Sequence, residues 1–328
     1  MQCWRGRAYG AHAAMSEEDS RAASGSAGPG TRFGFVAVIG APNAGKSTLV
    51  NRLVGTKVSI VSRKVQTTRM RVRGIAIVGN SQLVLVDTPG IFAPRRRLDR
   101  AMVEAAWAGA AEADLAVALV DAARSGDGDV DRLLDGLAGR PIRRALALNK
   151  VDRLKDKSPL LALAASLSAR GGFEAVFMIS ARTGEGVEDL AQYLARSVPE
   201  GPWHYAADQP SDMPLRLLAA EITREKIYDL LHEELPYASA VETTAWQERS
   251  DGSVRIEQTI YVERESQRKI VIGKGGATIK LISTEARREL AEIVERPVHL
   301  FLFVKVRAWG DDPERYRELG LDFPAKGD

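Results

Sequence analysis

The chain has 328 residues, 45% of them hydrophobic, enough for two domains with substantial cores in an ordinary globular composition. One cysteine, Cys3, and four histidines without ligand-like spacing (His12, His204, His232, His299) exclude a disulfide framework and a Cys-based metal cluster. The formal charge of +3 is uneven, with 28 basic and 20 acidic side chains in residues 1–204 against 18 and 23 in 205–328, so bulk charge announces no nucleic-acid partner.

Residues 1–32 are rich in Ala, Gly and Ser and lack the apolar core of a signal peptide. They read as a disordered tail, with Met15 as an alternative start. No apolar run reaches the ~18 residues of a membrane span. From Phe33 to Ser197 short apolar runs alternate with helical patterns. Strands are expected at Val36–Ile39, Val72–Val78, Leu83–Val86, Leu115–Val120, Ala145–Leu148 and Ala175–Ile179, and helices near 47–55, 100–111, 128–138, 158–169 and 186–196. This alternation predicts an α/β domain, a mostly parallel sheet with helices on both faces.

Residues 198–213 hold Pro199, Pro202 and Pro210 among polar residues and read as a linker. A second, α+β domain is expected over 214–308. It has a helix Leu215–Leu235, a strand Ser239–Gln247, a turn at Ser250–Ser253 and an alternating strand around Gln258. A short helix near 265–271, a longer helix after Gly276 and a last strand from Val298 to Val306 complete it. The order is α–β–β–α–α–β, and 309–328 form a C-terminal tail.

Gly40-Ala-Pro-Asn-Ala-Gly45-Lys46-Ser47 lies between the first strand and the first helix. It has the G-x-x-x-x-G-K-[ST] pattern, a phosphate cradle. Gly40 and Gly45 let backbone N–H groups turn inward. Lys46 reaches the terminal phosphates, Ser47 offers its hydroxyl to Mg²⁺, and the helix dipole adds to the site. Asp87-Thr-Pro-Gly90 closes a strand, where a carboxylate facing Lys46 and Ser47 can hold Mg²⁺ through water, and Gly90 can bring its N–H to a γ-phosphate. Asn149-Lys-Val-Asp152 closes another strand. The Asp152 carboxylate can accept from guanine N1–H and the amino group, whereas adenine would leave it unpaired. Ser180-Ala181 at the next strand end supplies a backbone N–H for the guanine oxygen. In Gln66-Thr-Thr-Arg69 a hydroxyl, Thr68 ahead of Thr67, is expected to complete the Mg²⁺ shell when a γ-phosphate is present.

On Ala41-Pro42-Asn43, Gln66-Thr-Thr-Arg69, Asp87-Thr-Pro-Gly90 and Asn149-Lys-Val-Asp152 the chain resembles the Era family of bacterial GTPases, from Phe33 to Ala308. The resemblance implies GTP contacts from Gly40, Ala41, Pro42, Asn43, Ala44, Gly45, Lys46, Ser47 and Thr48. It adds Asp87, Thr88, Pro89, Gly90, Asn149, Lys150, Asp152, Ser180 and Ala181. Ser47, Thr68 and Asp87 are implied around Mg²⁺, and Lys46, Asn43, Thr68 and Gly90 in hydrolysis. Ile91 stands where Ras-like proteins carry a water-orienting glutamine, so intrinsic hydrolysis is expected to be slow. The resemblance implies K⁺ held by Asn43 against the phosphates. Arg95-Arg-Arg97 reads as a solvated face rather than a catalytic finger.

Gly273-Lys-Gly-Gly276 is a second candidate site. A bare G-x-x-G recurs at Gly25–Gly28 and Gly136–Gly139. Here it stands between the two helices of the α–β–β–α–α–β unit, which resembles a type II KH domain whose loop admits a sugar-phosphate chain. Arg264, Arg268, Lys269, Lys274, Lys280, Arg287 and Arg288 crowd it, opposed by Glu265 and Glu285. RNA contacts are expected from Gly273, Lys274, Gly275, Gly276, Lys269, Lys280, Ile270 and Ile272, the last two in a groove unless they belong to the core. The resemblance implies a cytoplasmic monomer that binds small-subunit rRNA near its 3′ end and assists 30S assembly. Peripheral contact with the inner membrane is left open. The competing expectations are a Der-type or other ribosome-associated GTPase, and a P-loop ATPase or kinase with an RNA-silent C-terminal domain.

Overall fold

The computed structural model describes residues 30–307 apart from 63, 65, 66, 95, 125, 127 and 232–234, together with 313, 316, 321 and 322. Most of the two tails expected from the sequence lies outside the described residues, as do Cys3, His12, Met15, Gln66, Arg95 and His232. The chain forms two compact units.

The first contains β1 (Arg32–Gly40), α1 (Lys46–Val54), β2 (Val72–Val78), β3 (Ser81–Asp87), α2 (Arg97–Ala111) and β4 (Leu115–Asp121). It continues with α3 (Gly128–Leu137), β5 (Arg144–Asn149), α4 (Leu160–Gly171), β6 (Ala175–Met178) and α5 (Val187–Ser197). Its sheet runs β2-β3-β1-β4-β5-β6. β2 is antiparallel to β3 and every other pairing is parallel. The apolar runs are continuous because helices cover both faces, so both sides of each central strand must be apolar. Val36, Val38, Leu83, Leu85 and Leu119 fill one core, and Ala37, Ile39, Ala118, Leu146 and Leu148 the other. Strand order reverses direction at β1, where ligands of open α/β sheets bind beyond the carboxyl ends. Gly40, Asp87, Asp121 and Asn149 end β1, β3, β4 and β5 at that edge.

Residues 198–212 of the stretch expected to be a linker lie within this unit. The Phe33 N–H donates to Pro199 O at 3.1 Å, and the Ile75 N–H to Pro210 O at 2.8 Å. The fully buried Gln82 accepts from the N–H groups of His204 (2.9 Å) and Tyr205 (3.0 Å), and donates to Tyr205 O. His204 stacks on Phe33, with centroids 4.0 Å apart. Proline has no N–H to satisfy, and one buried glutamine meets two of the segment's remaining N–H groups and one of its carbonyls.

The second unit holds α6 (Leu215–Leu230), β7 (Ala240–Glu248), β8 (Val254–Val262), α7 (Glu265–Ile272), α8 (Ala277–Val294) and β9 (Val298–Val306). β7 is antiparallel and β9 parallel to β8, the central strand. The α–β–β–α–α–β order is as expected. The first helix stops at Leu230, and the chain turns over Leu235–Ala238 ahead of β7. Pro236 disfavours helix in the residue before it. The helices cover one sheet face through Leu218, Ile222, Ile256, Ala286, Leu290 and Leu300. Gln258, fully buried in that face, accepts from Thr223 Oγ1 at 2.5 Å and donates to Thr243 Oγ1 at 3.2 Å. A buried amide left without partners would cost about 1–3 kcal/mol.

Ile60–Thr67 belongs to this second unit. The Val61 N–H donates to Glu225 Oε1 at 2.7 Å and Arg224 Nη2 to Thr67 O at 2.6 Å. No hydrophobic pattern advertises this, because the attachment is made by polar groups, with Lys64 also donating to the carbonyls of Tyr228 and Leu231.

Candidate nucleotide site and candidate RNA interface

The loop after β1 takes its shape from glycine. Gly45 has φ 103°, and a Cβ there would lie 2.4 Å from Asn149 Nδ2. A Cβ at Gly40 would lie 2.3 Å from Leu119 O, and one at Gly90 2.9 Å from the Pro42 ring. Asn43 takes the left-handed region without being glycine, at φ 60°, a conformation Asn tolerates better than most residues. Lys46, 6% exposed, donates to Gly40 O at 3.2 Å and Ala41 O at 3.0 Å. Burial pulls its ammonium down to about 8, with Asp87 opposing and Lys150 reinforcing the shift.

Asp87 is fully buried at the end of β3. Its Oδ2 accepts from Ser47 Oγ at 2.6 Å, Ser59 Oγ at 2.6 Å and Thr68 Oγ1 at 3.5 Å, and Ser47 Oγ lies 3.0 Å from Thr68 Oγ1. Its Oδ1 is buried and has no partner among the described residues. Burial pushes this carboxyl above the usual carboxylate range, against the pull of Ser47, Ser59, Lys46 and Thr68. An orphaned oxygen on a carboxylate whose other oxygen gathers three hydroxyls fits a hard divalent cation that also keeps waters and phosphate oxygens. Thr68 therefore reaches this cluster, whereas the Thr67 hydroxyl donates to Lys64 O at 2.9 Å. Ser59 has no motif around it and is missed by sequence inspection. The Thr88 side chain is structural, donating to Val38 O at 2.8 Å. Ile91 packs into the core at 2% exposure. Of the arginine run, the Arg96 N–H donates to Asp99 Oδ2 at 3.0 Å as α2 begins.

Asn149 joins two loops. Its Nδ2 donates to Ala44 O at 2.7 Å and its Oδ1 accepts the Ala181 N–H at 2.9 Å. Lys150, at φ 68°, donates to Asn43 O at 2.6 Å and pairs with Asp121 at 2.7 Å. Asp121 faces Asn149 across the β4–β5 register, a signal visible only once the strands are paired. Asp152 accepts from Ser180 Oγ at 2.7 Å and pairs with Arg182 at 2.5 Å. The Ser180 hydroxyl first, and Arg182 after it, hold its carboxyl below the usual range, so it is an ionised acceptor with lone pairs to spare. The N–H groups of Ser180 and Ala181 already have acceptors, Glu185 O at 2.9 Å and Asn149 Oδ1. A base carbonyl meeting the Ala181 N–H would share it with the Asn149 oxygen or take its place.

In the second unit Gly273, Gly275 and Gly276 have φ of 74°, 61° and 80°. A Cβ at Gly273 would lie 2.2 Å from Thr278 Oγ1, but Gly275 and Gly276 face open space. The first glycine lets the helices approach and the others leave backbone bare. Val271 fills the core while Ile270 is 55% exposed and Ile272 half-buried, so the core alternative fails for Ile270. Arg268 pairs with Glu265 and Arg288 with Glu285. Lys269, Lys274, Lys280 and Arg287 are exposed and have no ion pair among the described residues.

A family model described as a 50S ribosome-binding GTPase matches residues 35–150, and a KH domain model matches residues 234–310. GTPase Era of Sinorhizobium medicae is 65% identical over 295 residues, 90% of this chain and 95% of that protein. GTPase Era of Bradyrhizobium sp. BTAi1 is 64% identical over 301 residues, 91% and 97% of the two chains. Among solved structures, Era in complex with MgGDPNP and nucleotides 1506–1542 of 16S ribosomal RNA superposes with a TM-score of 0.84. It is 37% identical, over 88% of this chain and 99% of that one. A single-residue variant of Aquifex aeolicus Era, bound to GDP and aluminium fluoride, gives the same TM-score, identity and coverage. With both matched domains present in order and relatives covered almost end to end, the chain belongs to the GTPase Era family.

Proposed function

We propose that the protein is a GTP-hydrolysing switch that binds small-subunit rRNA near its 3′ end and assists 30S assembly. Asn149 carries the nucleotide half. Its amide ties the phosphate loop to the Ser180–Ala181 loop, so base recognition and phosphate binding share one frame. Asp152 selects guanine by accepting from N1–H and the amino group. Lys46 releases the loop carbonyls to meet the β- and γ-phosphates, and the N–H of Gly90 meets the γ-phosphate. Ser47, Thr68 and, through water, Asp87 would hold Mg²⁺, which neutralises charge developing on the phosphates. Ile91 is buried and cannot orient water, which supports assigning Asn43 to K⁺ at the phosphates.

The bare backbone at Gly275 and Gly276, flanked by the exposed cations Lys269, Lys274, Lys280 and Arg287, supports RNA binding at Gly273–Gly276, with Ile270 and Ile272 against the bases. No helix among the described residues is long and apolar enough to cross a membrane. We take the working form to be a cytoplasmic monomer, with any inner-membrane contact peripheral. The decisive experiment measures binding of an RNA copy of the 16S 3′ end with GTP analogue and with GDP, alongside GTP–ATP competition. We expect RNA affinity to depend on the nucleotide and ATP to compete poorly. Equal competition by ATP would sink the guanine assignment, and equal RNA affinity in both states would sink the switch.

A further inference from the structure

We propose that the outer face of the second unit's sheet, on its β9 side, is a stacking platform for single-stranded RNA, distinct from the glycine loop. The inference rests on RNA being the partner proposed above. The helices cover only the face carrying Ile256, Leu300 and Ile260. In the β8–β9 register the opposite face pairs Arg255 with His299, Glu257 with Phe301, Thr259 with Phe303 and Tyr261 with Lys305. Phe301 is 43% and Phe303 49% exposed.

Two exposed phenylalanines on an edge strand are an aggregation hazard, and neither contributes to either hydrophobic core of the unit. Two positions apart on one strand, they stand about 6.6 Å from each other on the same face, near the reach of one extended nucleotide step. Aromatic side chains spaced like this let successive bases stack without sequence preference. Cations surround them. Arg255 lies 4.9 Å over the Phe301 ring, Arg307 lies 5.9 Å over that of Tyr261, and Lys305 is exposed. Glu257 is paired with Arg255, and Glu242 stands opposite Thr259 on β7, away from β9. The β9 side is therefore aromatic and cationic, as a nucleic-acid strand requires, whereas a protein-docking face is depleted in Lys.

The platform is also continuous with the loop site. A G-x-x-G loop clamps about four nucleotides, and the inner face of β9 packs against α7 and α8 through Leu302 and Val304. Both helices that flank the loop therefore adjoin β9, and a strand longer than the loop can clamp would continue over the β9 edge.

The test measures affinity of the full chain for single-stranded oligonucleotides of four and of ten nucleotides by fluorescence anisotropy. The variants are F301L/F303L, which keeps apolar bulk but removes the π-faces, F301Y/F303W, which keeps them, and K274D/G275D. We expect F301L/F303L to weaken the ten-mer roughly tenfold or more, to leave the four-mer unchanged, and F301Y/F303W to bind both like the parent chain. Unchanged ten-mer affinity in F301L/F303L would overturn the platform. So would a parent dimer in sedimentation that this variant dissolves, since the face would then be a self-interface. If K274D/G275D still binds the four-mer, the loop assignment fails instead, which separates the two claims.

Discussion

Asn149 Nδ2 lies 2.7 Å from Ala44 O and sits where a Cβ on Gly45 would have to go. The amide therefore both braces the phosphate loop and forbids a side chain at its second glycine. Replacing Asn149 with Ala removes two buried hydrogen bonds and leaves Ala44 O and the Ala181 N–H without partners. Each loss costs about 1–3 kcal/mol, so GTP affinity should fall on the order of 10²-fold, with a lower melting temperature. Titration with a fluorescent GTP analogue, beside a thermal melt, measures both. Gly45→Ala should lose nucleotide binding more completely, because it adds a left-handed strain that the Asn149 variant avoids.

Lys46 gives a pH signature with opposite signs for folding and for binding. Its folded value of about 8 lies below the unfolded 10.5, so between them the unfolded chain holds more protons. Stability without nucleotide should rise with pH from about 8 towards 10.5. Phosphate binding favours the charged amine, so GTP affinity should be flat below pH 8 and fall above it, by up to roughly tenfold per pH unit. Calorimetry across pH 7–10 in two buffers, reading proton uptake, would reveal it. A flat affinity profile would remove Lys46 from the phosphates.

Asp87 carries a cost that a divalent cation should relieve. Burial raises its folded carboxyl above the unfolded value. Its penalty is thus absent at low pH and appears as pH rises through the folded value. Asp87→Asn should therefore melt at or above the parent temperature at pH 7 without nucleotide, and the gap should close on acidification. The same variant should lose Mg²⁺-dependent GTP binding. A variant that binds MgGTP normally would exclude Asp87 from the metal shell.

Much of this was legible in the sequence, for identifiable reasons. Continuous apolar runs such as Leu83–Val86 reveal strands buried on both faces, and the glycine-rich loop, Asp87 and Asn149 each follow one of them. The residues missed are those whose role depends on tertiary pairing. Ser59 reaches Asp87 from a polar loop, Asp121 meets Lys150 only after β4 and β5 align, and Gln82 secures a proline-rich stretch that composition assigns to a linker. Chain order sets Ser180 and Ala181 at the strand end next to that of Asn149, but gives no sign that Asn149 already holds one of their N–H groups. Polar side chains that satisfy distant backbone have no period, and periodicity is what a lone sequence displays.

Ile91 bears on how hydrolysis is timed. A glutamine introduced there would enter a core site of 2% exposure, leaving an amide without partners at a cost of about 1–3 kcal/mol. Ile91→Gln should lower stability and should not accelerate turnover. Asn43→Ala, by contrast, should keep GTP affinity within a few fold while removing any acceleration by K⁺ over Na⁺. Steady-state hydrolysis in the two salts reads this directly, and identical rates in the parent chain would retire the K⁺ assignment.

The loop at Gly273–Gly276 separates a structural glycine from two that keep backbone bare. Gly273→Ala places a methyl 2.2 Å from Thr278 Oγ1 at φ 74°, so its main effect should be a lower melting temperature. Lys274→Asp with Gly275→Asp meets no atom within 4 Å at the second position, and Asp tolerates the left-handed region better than most residues. That pair should fold normally, bind GTP as the parent does, and lose RNA through repulsion of the phosphates. RNA binding by filter retention at two salt concentrations distinguishes the cases. The parent should weaken steeply with salt, and the double variant should show little binding at either concentration.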